Sequence, residues 1–190
     1  MIKSILSKIS FLKNTLCKKL IKKSKKKWEN FEFFSEDWKE RIKIMSLLIQ
    51  KEEKTIIDLW CWKMWLKEYL EKDKKYIWCD YTDRWWNLIC DFNKKEFPDL
   101  IVDTSFISWC LEYIIDYQRF IDQVCAHSNS VVISYCSTDF NKKISQRNIN
   151  LWKNHLSNSD LIQSFSKNWF ILDKFFINYN WNVIFRFYKK

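Results

Sequence analysis

The sequence predicts an α/β domain on a doubly wound, mostly parallel sheet of seven strands with an antiparallel C-terminal strand. Three observations predict it. Short β-branched apolar runs alternate with segments of helical period, the pattern of a parallel sheet covered on both faces. The last two apolar runs are joined by only five residues, which makes them antiparallel. The third is apolar content: 47% hydrophobic and 29% charged over 190 residues, enough to build one core and too apolar for a disordered chain.

In chain order, residues 36–50 read as a helix striped by Ile42, Met45, Leu48 and Ile49. Residues 55–59 (Thr-Ile-Ile-Asp-Leu) suit a buried strand, and 66–70 continue as a helix. Residues 76–79 form a second strand ending at Asp80, and 88–90 a third ending at Asp91. The single proline, Pro98, precedes a fourth strand over 99–102, which Asp99 and Asp103 flank. Residues 111–125 are helical, burying Leu111, Ile114, Ile115, Phe120, Ile121 and Val124. A fifth strand covers 131–135 and a helix 160–167, before the final pair, 170–177 and 183–188. Residues 136–159 form a long connection placed to cover a ligand.

Charge divides the chain into a tail, 1–27, and a domain, 28–190. The net charge is +10, yet residues 1–27 alone hold ten lysines and no acid, so the remainder is neutral. In the tail, Ile2, Ile5, Leu6, Ile9, Leu12, Leu16 and Leu20 recur at helical spacing among the lysines. One reading is a basic amphipathic helix on an anionic membrane surface; the other is a solvated leader. Nucleic acid is the weaker partner, since the neutral body lacks a basic aromatic platform. No stretch reaches the roughly 18 apolar residues of a membrane span, and no apolar core followed by small residues marks a secretory leader. Seven scattered cysteines, none in C-x-x-C, point to reduced thiols in a cytoplasmic setting rather than to disulfides or zinc. No His/Asp/Glu spacing suggests any other metal.

Two counts are abnormal: glycine is 0 and tryptophan 12, where glycine is usually about 7%. Turns and helix ends need positive φ, which glycine supplies at low cost. Tryptophans stand where those demands fall. Trp60 and Trp62 lie between a strand and a helix; Trp169 follows a helix end, where a left-handed residue is usual. Asn180-Trp181 replaces the preferred Asn-Gly of a hairpin, and Trp85-Trp86 occupy a loop. Most of these positions are therefore expected to be glycine in the working protein, a codon read as glycine by the source organism having been translated as tryptophan. Trp38 and Trp152 demand no glycine, and Trp28 and Trp65 stay open.

With glycine at 60, 62 and 78, residues 57–62 read Ile-Asp-Leu-Gly-Cys-Gly and 76–80 read Tyr-Ile-Gly-Cys-Asp. These motifs, and the order of elements from about Thr55 to Tyr188, resemble the class I S-adenosylmethionine-dependent methyltransferases. The resemblance implies their Rossmann-like fold and S-adenosylmethionine as cofactor. It places Asp58, Trp60, Cys61 and Trp62 at the cofactor's amino-acid end, with backbone N–H groups of 60–62 contacting it. Asp80 falls on the ribose, and Asp91 and Phe92 in the adenine loop. Residues 105–114 resemble the segment bordering methyl group and substrate, and 151–157 a segment of small stand-alone members.

Methyl transfer from a sulfonium is an in-line displacement that asks the protein mainly for position. Candidates for contacting the acceptor or taking its proton are His155, whose ordinary pKa suits that role, with Glu112 and Tyr113; the other histidine, His127, reads as a surface loop residue. The expected acceptor is a small molecule, a glycan or a lipid-linked compound. Two rivals stand. Trp60-x-Trp62-x-x-Trp65 equally spells the G-x-G-x-x-G of a dinucleotide-dependent oxidoreductase. Genuine, exposed indoles would instead make a non-enzymatic interaction surface.

Overall fold

The structure, a computed structural model, describes residues 35–83, 87–178 and 182–190, and one unit spans Glu36–Lys190. The elements are α1 (Glu36–Ser46), β1 (Thr55–Leu59), β2 (Lys75–Asp80), β3 (Leu88–Ile89), β4 (Val102–Ser108), α2 (Tyr117–His127), β5 (Ser128–Tyr135), α3 (Ile144–Ile149), α4 (Asn158–Ser166), β6 (Phe170–Ile177) and β7 (Val183–Lys189). Single 3-10 turns at Trp65–Tyr69, Phe92–Lys94 and Leu111–Tyr113 follow β1, β3 and β4.

The strands form one sheet in the order β3-β2-β1-β4-β5-β7-β6. The pairings β1–β2, β1–β4, β2–β3 and β4–β5 are parallel; β7 runs antiparallel to β5 and β6. This is the class I methyltransferase fold. A dinucleotide-binding sheet commonly runs 3-2-1-4-5-6, without an antiparallel strand inserted between its last two places. The reversal of direction at β1, from which neighbours lead to opposite edges, sets a crevice at the carboxyl ends of β1 and β4.

One sheet face carries Ile57, Leu59, Ile107, Ile133 and Phe185, packed against Phe120, Ile121 and Val124 of α2 and Leu161 and Phe165 of α4. Asp116 caps α2 by accepting from Arg119 N, and Ser157 and Asp160 close a capping box on α4. Arg186 of β7 bridges Glu53, just ahead of β1 in the chain (2.7 Å), and Asp173 (2.8 Å) and donates to Leu48 O. The segment entering β1 is thereby tied to the far side of the sheet.

Several expectations need correction. The fourth strand runs 102–108, not 99–102; Leu100 and Ile101 are exposed. The register is pinned by Asp103, whose Oδ2 accepts from Lys54 N, Thr55 N and Thr55 Oγ1 at 2.8–2.9 Å. Residues 105–108 are thus strand, not a segment after it. The expected helix over 111–125 is a 3-10 turn and a separate α2, interrupted by the cap at Asp116, and it leaves Ile115 exposed. The helix expected over 66–70 is only a 3-10 turn, and α1 stops at Ser46 rather than Gln50. The connection 136–159 contains α3. The tail, Trp28, Trp85, Trp86 and Trp181 lie outside the described residues.

Candidate functional site

Asp58, Asp80 and Glu112 gather at the carboxyl ends of β1, β2 and β4, and all three are buried. Asp58 faces β2, where Tyr76 Oη donates to its Oδ2 at 2.8 Å. Burial pushes this carboxyl up to about 7; the Tyr76 bond opposes the shift and the charge of Asp80 adds to it. The Asp80 Oδ1 accepts from Thr82 N and Oγ1 (both 3.2 Å), and its Oδ2 from Trp62 N (3.3 Å). Trp60 N and Cys61 N both donate to Cys79 O, at 2.8 and 2.9 Å. The backbone donors of 60–62, read from sequence as cofactor contacts, are therefore engaged within the chain.

The turn after β1 is left-handed at Trp60 (φ 81°), Trp62 (φ 53°) and Met64 (φ 57°). Trp169 (φ 64°) is left-handed as its place after α4 requires, and Trp109 (φ 57°), just beyond β4, joins them. Four of the seven described residues at positive φ are tryptophans, although a side chain of this bulk opposes that conformation. Trp78 sits within β2 in extended backbone that needs no glycine.

Three of the four left-handed indoles fill the crevice. Trp60 stacks on Tyr113 (5.7 Å) and tilts against Tyr81 (5.2 Å). Trp62 and Trp109 lie 6.4 Å apart, with Trp38 of α1 edge-on to both at 5.1 and 4.6 Å. These rings stand at the carboxyl ends of β1 and β4, the end at which Asp58 and Asp80 are buried.

Glu112 is the middle residue of the 3-10 turn Leu111–Tyr113 after β4. Its Oε1 accepts from Cys136 N at 2.8 Å, while Oε2, fully buried, has no hydrogen-bond partner. Burial pushes the carboxyl up to about 6, against the Cys136 N–H bond and the charges of Arg41 and Arg147. Arg147 of α3 is completely buried; it donates to Cys136 O, Tyr135 Oη and Asn154 O. It also donates from Nε to His155 Nδ1 at 3.0 Å. A neutral His155 must then carry its proton on Nε2 and present a donor there, and burial and Arg147 hold its pKa below the ordinary value. Burial raises the Tyr113 hydroxyl, which accepts from Trp152 Nε1 at 3.3 Å. Asp91 caps the 3-10 turn that begins with buried Phe92, accepting from Asn93 N at 3.1 Å.

Sequence reasoning missed Arg41, and it placed Arg147 in the connection 136–159 and Trp109 in the segment 105–114 without assigning either a role. Nothing in the pattern separates the two arginines from solvated ones; Trp109 was readable, as a residue between a strand end and a 3-10 turn. Among the described residues Trp62, Trp65 and Trp152 are buried, which removes much of the support for an indole interaction surface. No group of metal-binding residues occurs among the described residues, nor a helix long and apolar enough to cross a membrane.

No family model matches the sequence, and no curated protein matches it. Solved structures match the fold. PigF with bound S-adenosylhomocysteine superposes with a TM-score of 0.66 at 10% identity, over 85% of this chain and 60% of that one. Magnesium protoporphyrin IX methyltransferase (ChlM) of Synechocystis, also with S-adenosylhomocysteine, gives 0.60 at 9% identity, over 80% and 83%. The pyocyanin biosynthetic protein PhzM gives 0.61 at 8% identity, and this chain spans 54% of its length. The fold these comparisons share with the chain is that of S-adenosylmethionine-dependent methyltransferases.

Proposed function

We propose that the working protein transfers a methyl group from S-adenosylmethionine to a small-molecule, glycan or lipid-linked acceptor, with glycine at positions 60 and 62. One observation carries the reading. The turn leaving β1 takes the left-handed backbone of a glycine turn at Trp60 and Trp62, and their indoles lie where a ligand of this fold sits. With hydrogen in place of those indoles, the crevice between Asp58, Asp80 and Tyr113 is vacated. Bound there, S-adenosylmethionine brings its own leaving group, and the chain supplies shape and polar surround. Asp80 matches the ribose ligand of the family the motifs resemble, and its two oxygens accept from Thr82 N and Oγ1 and from Trp62 N, donors that a ribose diol can replace.

Glu112 suits the acceptor side better than His155. A buried carboxylate with an open oxygen accepts a proton, whereas His155 has its Nδ1 filled by Arg147. The dinucleotide reading is weakened by position 65, which is not left-handed and buries its indole. Calorimetry of the Trp60→Gly/Trp62→Gly protein separates the two. S-adenosylhomocysteine is expected to bind at micromolar concentration and NAD not at all; NAD binding, or no binding of either, rejects the proposal. The recoding itself is read from host protein: peptides covering 60 and 62 carry glycine there, or the idea fails.

A further inference from the structure

The sheet ends on β6, a strand of 8 residues that pairs antiparallel with β7. It carries apolar side chains in the open. Ile171, Phe175 and Ile177 are 38%, 43% and 45% exposed, and Tyr188 of β7, opposite Ile171, is 40% exposed. An edge of this length and hydrophobicity is a template for another strand. The register with β7 shifts between Leu172 and Lys174, and the shift decides which face each residue takes. Phe170 lies in the core. Leu172, Phe175 and Ile177 stand opposite Phe187, Phe185 and Val183 of that core, so these four share the face that α2 and α4 cover. Ile171, Lys174 and Phe176 stand opposite Tyr188, Arg186 and Ile184, on the other face. Asp173 joins them there, since its Oδ2 accepts from Arg186 at 2.8 Å. The bulge thus sets Asp173 and Lys174 side by side on one face, where a regular strand would alternate.

We propose that β6 is a dimerisation edge whose occupant is β6 of a second copy of this chain, antiparallel across a two-fold axis between Asp173 and Lys174. Residues opposite each other in an antiparallel pair share a face. With the bulge in place, the faces of residues 170–177 read the same in both directions. The axis sets Phe170 against the partner's Ile177 and Leu172 against the partner's Phe175 on one face, and Ile171 against the partner's Phe176 on the other. At the centre Asp173 meets the partner's Lys174, twice over by symmetry. The Asp173 side chain stays 30% exposed beside Arg186, which leaves room for that second cation. Moving the axis onto Asp173 or Lys174 would oppose like charges and mismatch the faces. A bulge and charged side chains commonly keep an edge from pairing; this set leaves one register open, that of the chain with itself. The contact is isologous and closed, and it stands apart from the methyl-transfer reading.

Sedimentation of the 190-residue chain over a range of concentrations is expected to show a monomer–dimer equilibrium. The amides of β6 should gain protection from hydrogen exchange as the dimer forms. Lys174→Glu sets two acids opposite each other at both central pairs and should weaken dimerisation roughly tenfold or more. Asp173→Lys sets two bases there and should do the same. Mixed together, the two variants should form a heterodimer, because every central pair is again of opposite sign. If loss of the Arg186 bond unfolds Asp173→Lys, which its thermal melt reveals, Lys174→Glu and the exchange data decide alone. A monomer at every concentration overturns the proposal. So does a dimer whose β6 amides exchange as in the monomer, or a Lys174→Glu protein that dimerises as tightly as its parent. Two folded variants that fail to associate when mixed, or growth beyond the dimer, overturn the two-fold register.

Discussion

A left-handed residue with a Cβ costs about 1–2 kcal/mol, and Trp169 offers the cleanest measure of that cost here. It follows α4 at φ 64° and is 75% exposed, so removing its side chain loses little packing. Trp169→Gly is expected to stabilise the chain by about 1 kcal/mol, or roughly 2–4 °C in Tm, with Trp169→Ala close to neutral because alanine keeps the Cβ. Thermal melts of the three proteins check it; an equal gain from alanine would mean that bulk, not backbone, is at issue. Buried acids give a second residue-level expectation. Asp58 at about 7 and Glu112 at about 6 both lie above their unfolded values near 4. Between those limits each of these two groups binds more protons in the folded chain than in the unfolded one, so the stability they contribute is fully present below about pH 4 and declines as pH rises to about 7. The decline approaches about 1.4 kcal/mol per pH unit for each group. Asp58→Asn is expected to flatten it. So is Trp60→Gly/Trp62→Gly, which readmits water without touching the acid. Denaturant titrations at pH 5 and 7.5 measure the slope; identical slopes in all three proteins would remove the burial argument.

At the level of elements, the chain is legible where strands are apolar and opaque where they are not. β1, β2, β5, β6 and β7 fall within three residues of their expected ends because each is a run of apolar or β-branched residues. β4 was displaced because its true span carries Thr104, Ser105 and Ser108 inside the protein. For Thr104 and Ser108 that polarity is absorbed by contacts that no local pattern reveals: Thr104 Oγ1 meets Ser130 Oγ at 2.9 Å and Ser108 Oγ accepts from Arg41 Nε at 3.4 Å. For the site, the carboxylates at strand ends were visible because strand ends are where this architecture keeps its ligands. The guanidinium of Arg147 was not, because a fully buried arginine is an exception that only tertiary partners permit. Asp103 is the element-scale test. Its carboxylate holds the first residues of β1 to β4 through three donors, so Asp103→Ala should cost about 2–3 kcal/mol. Asp103→Asn, which keeps an acceptor, should lose less. Midpoints of urea unfolding rank them, and a neutral Asp103→Ala would show that the register is held by packing alone.

Over the whole molecule the charge is partitioned more sharply than the fold. All of the net +10 is accounted for by residues 1–27, which contain ten lysines and no acid, while residues 28–190 are neutral. Lysines near an anionic bilayer contribute about 1 kcal/mol each, an attraction that fades within a Debye length of about 10 Å at 0.1 M salt. A glycan or lipid-linked acceptor would make that attraction useful, since it holds the catalytic body at the surface where such compounds lie. The 190-residue chain is therefore expected to sediment with vesicles containing phosphatidylserine and not with pure phosphatidylcholine, and to be released by about 0.5 M salt, roughly threefold above physiological strength. Glutamine at positions 22, 23, 25, 26 and 27 removes five of the ten charges and should weaken binding at least tenfold. The glycine substitutions at 60 and 62 should leave vesicle binding unchanged, because they alter the crevice and not the charge. Salt-insensitive binding would instead assign the contact to apolar insertion of Ile2, Ile5, Leu6 and Ile9, and no binding at all would return the segment to solvent.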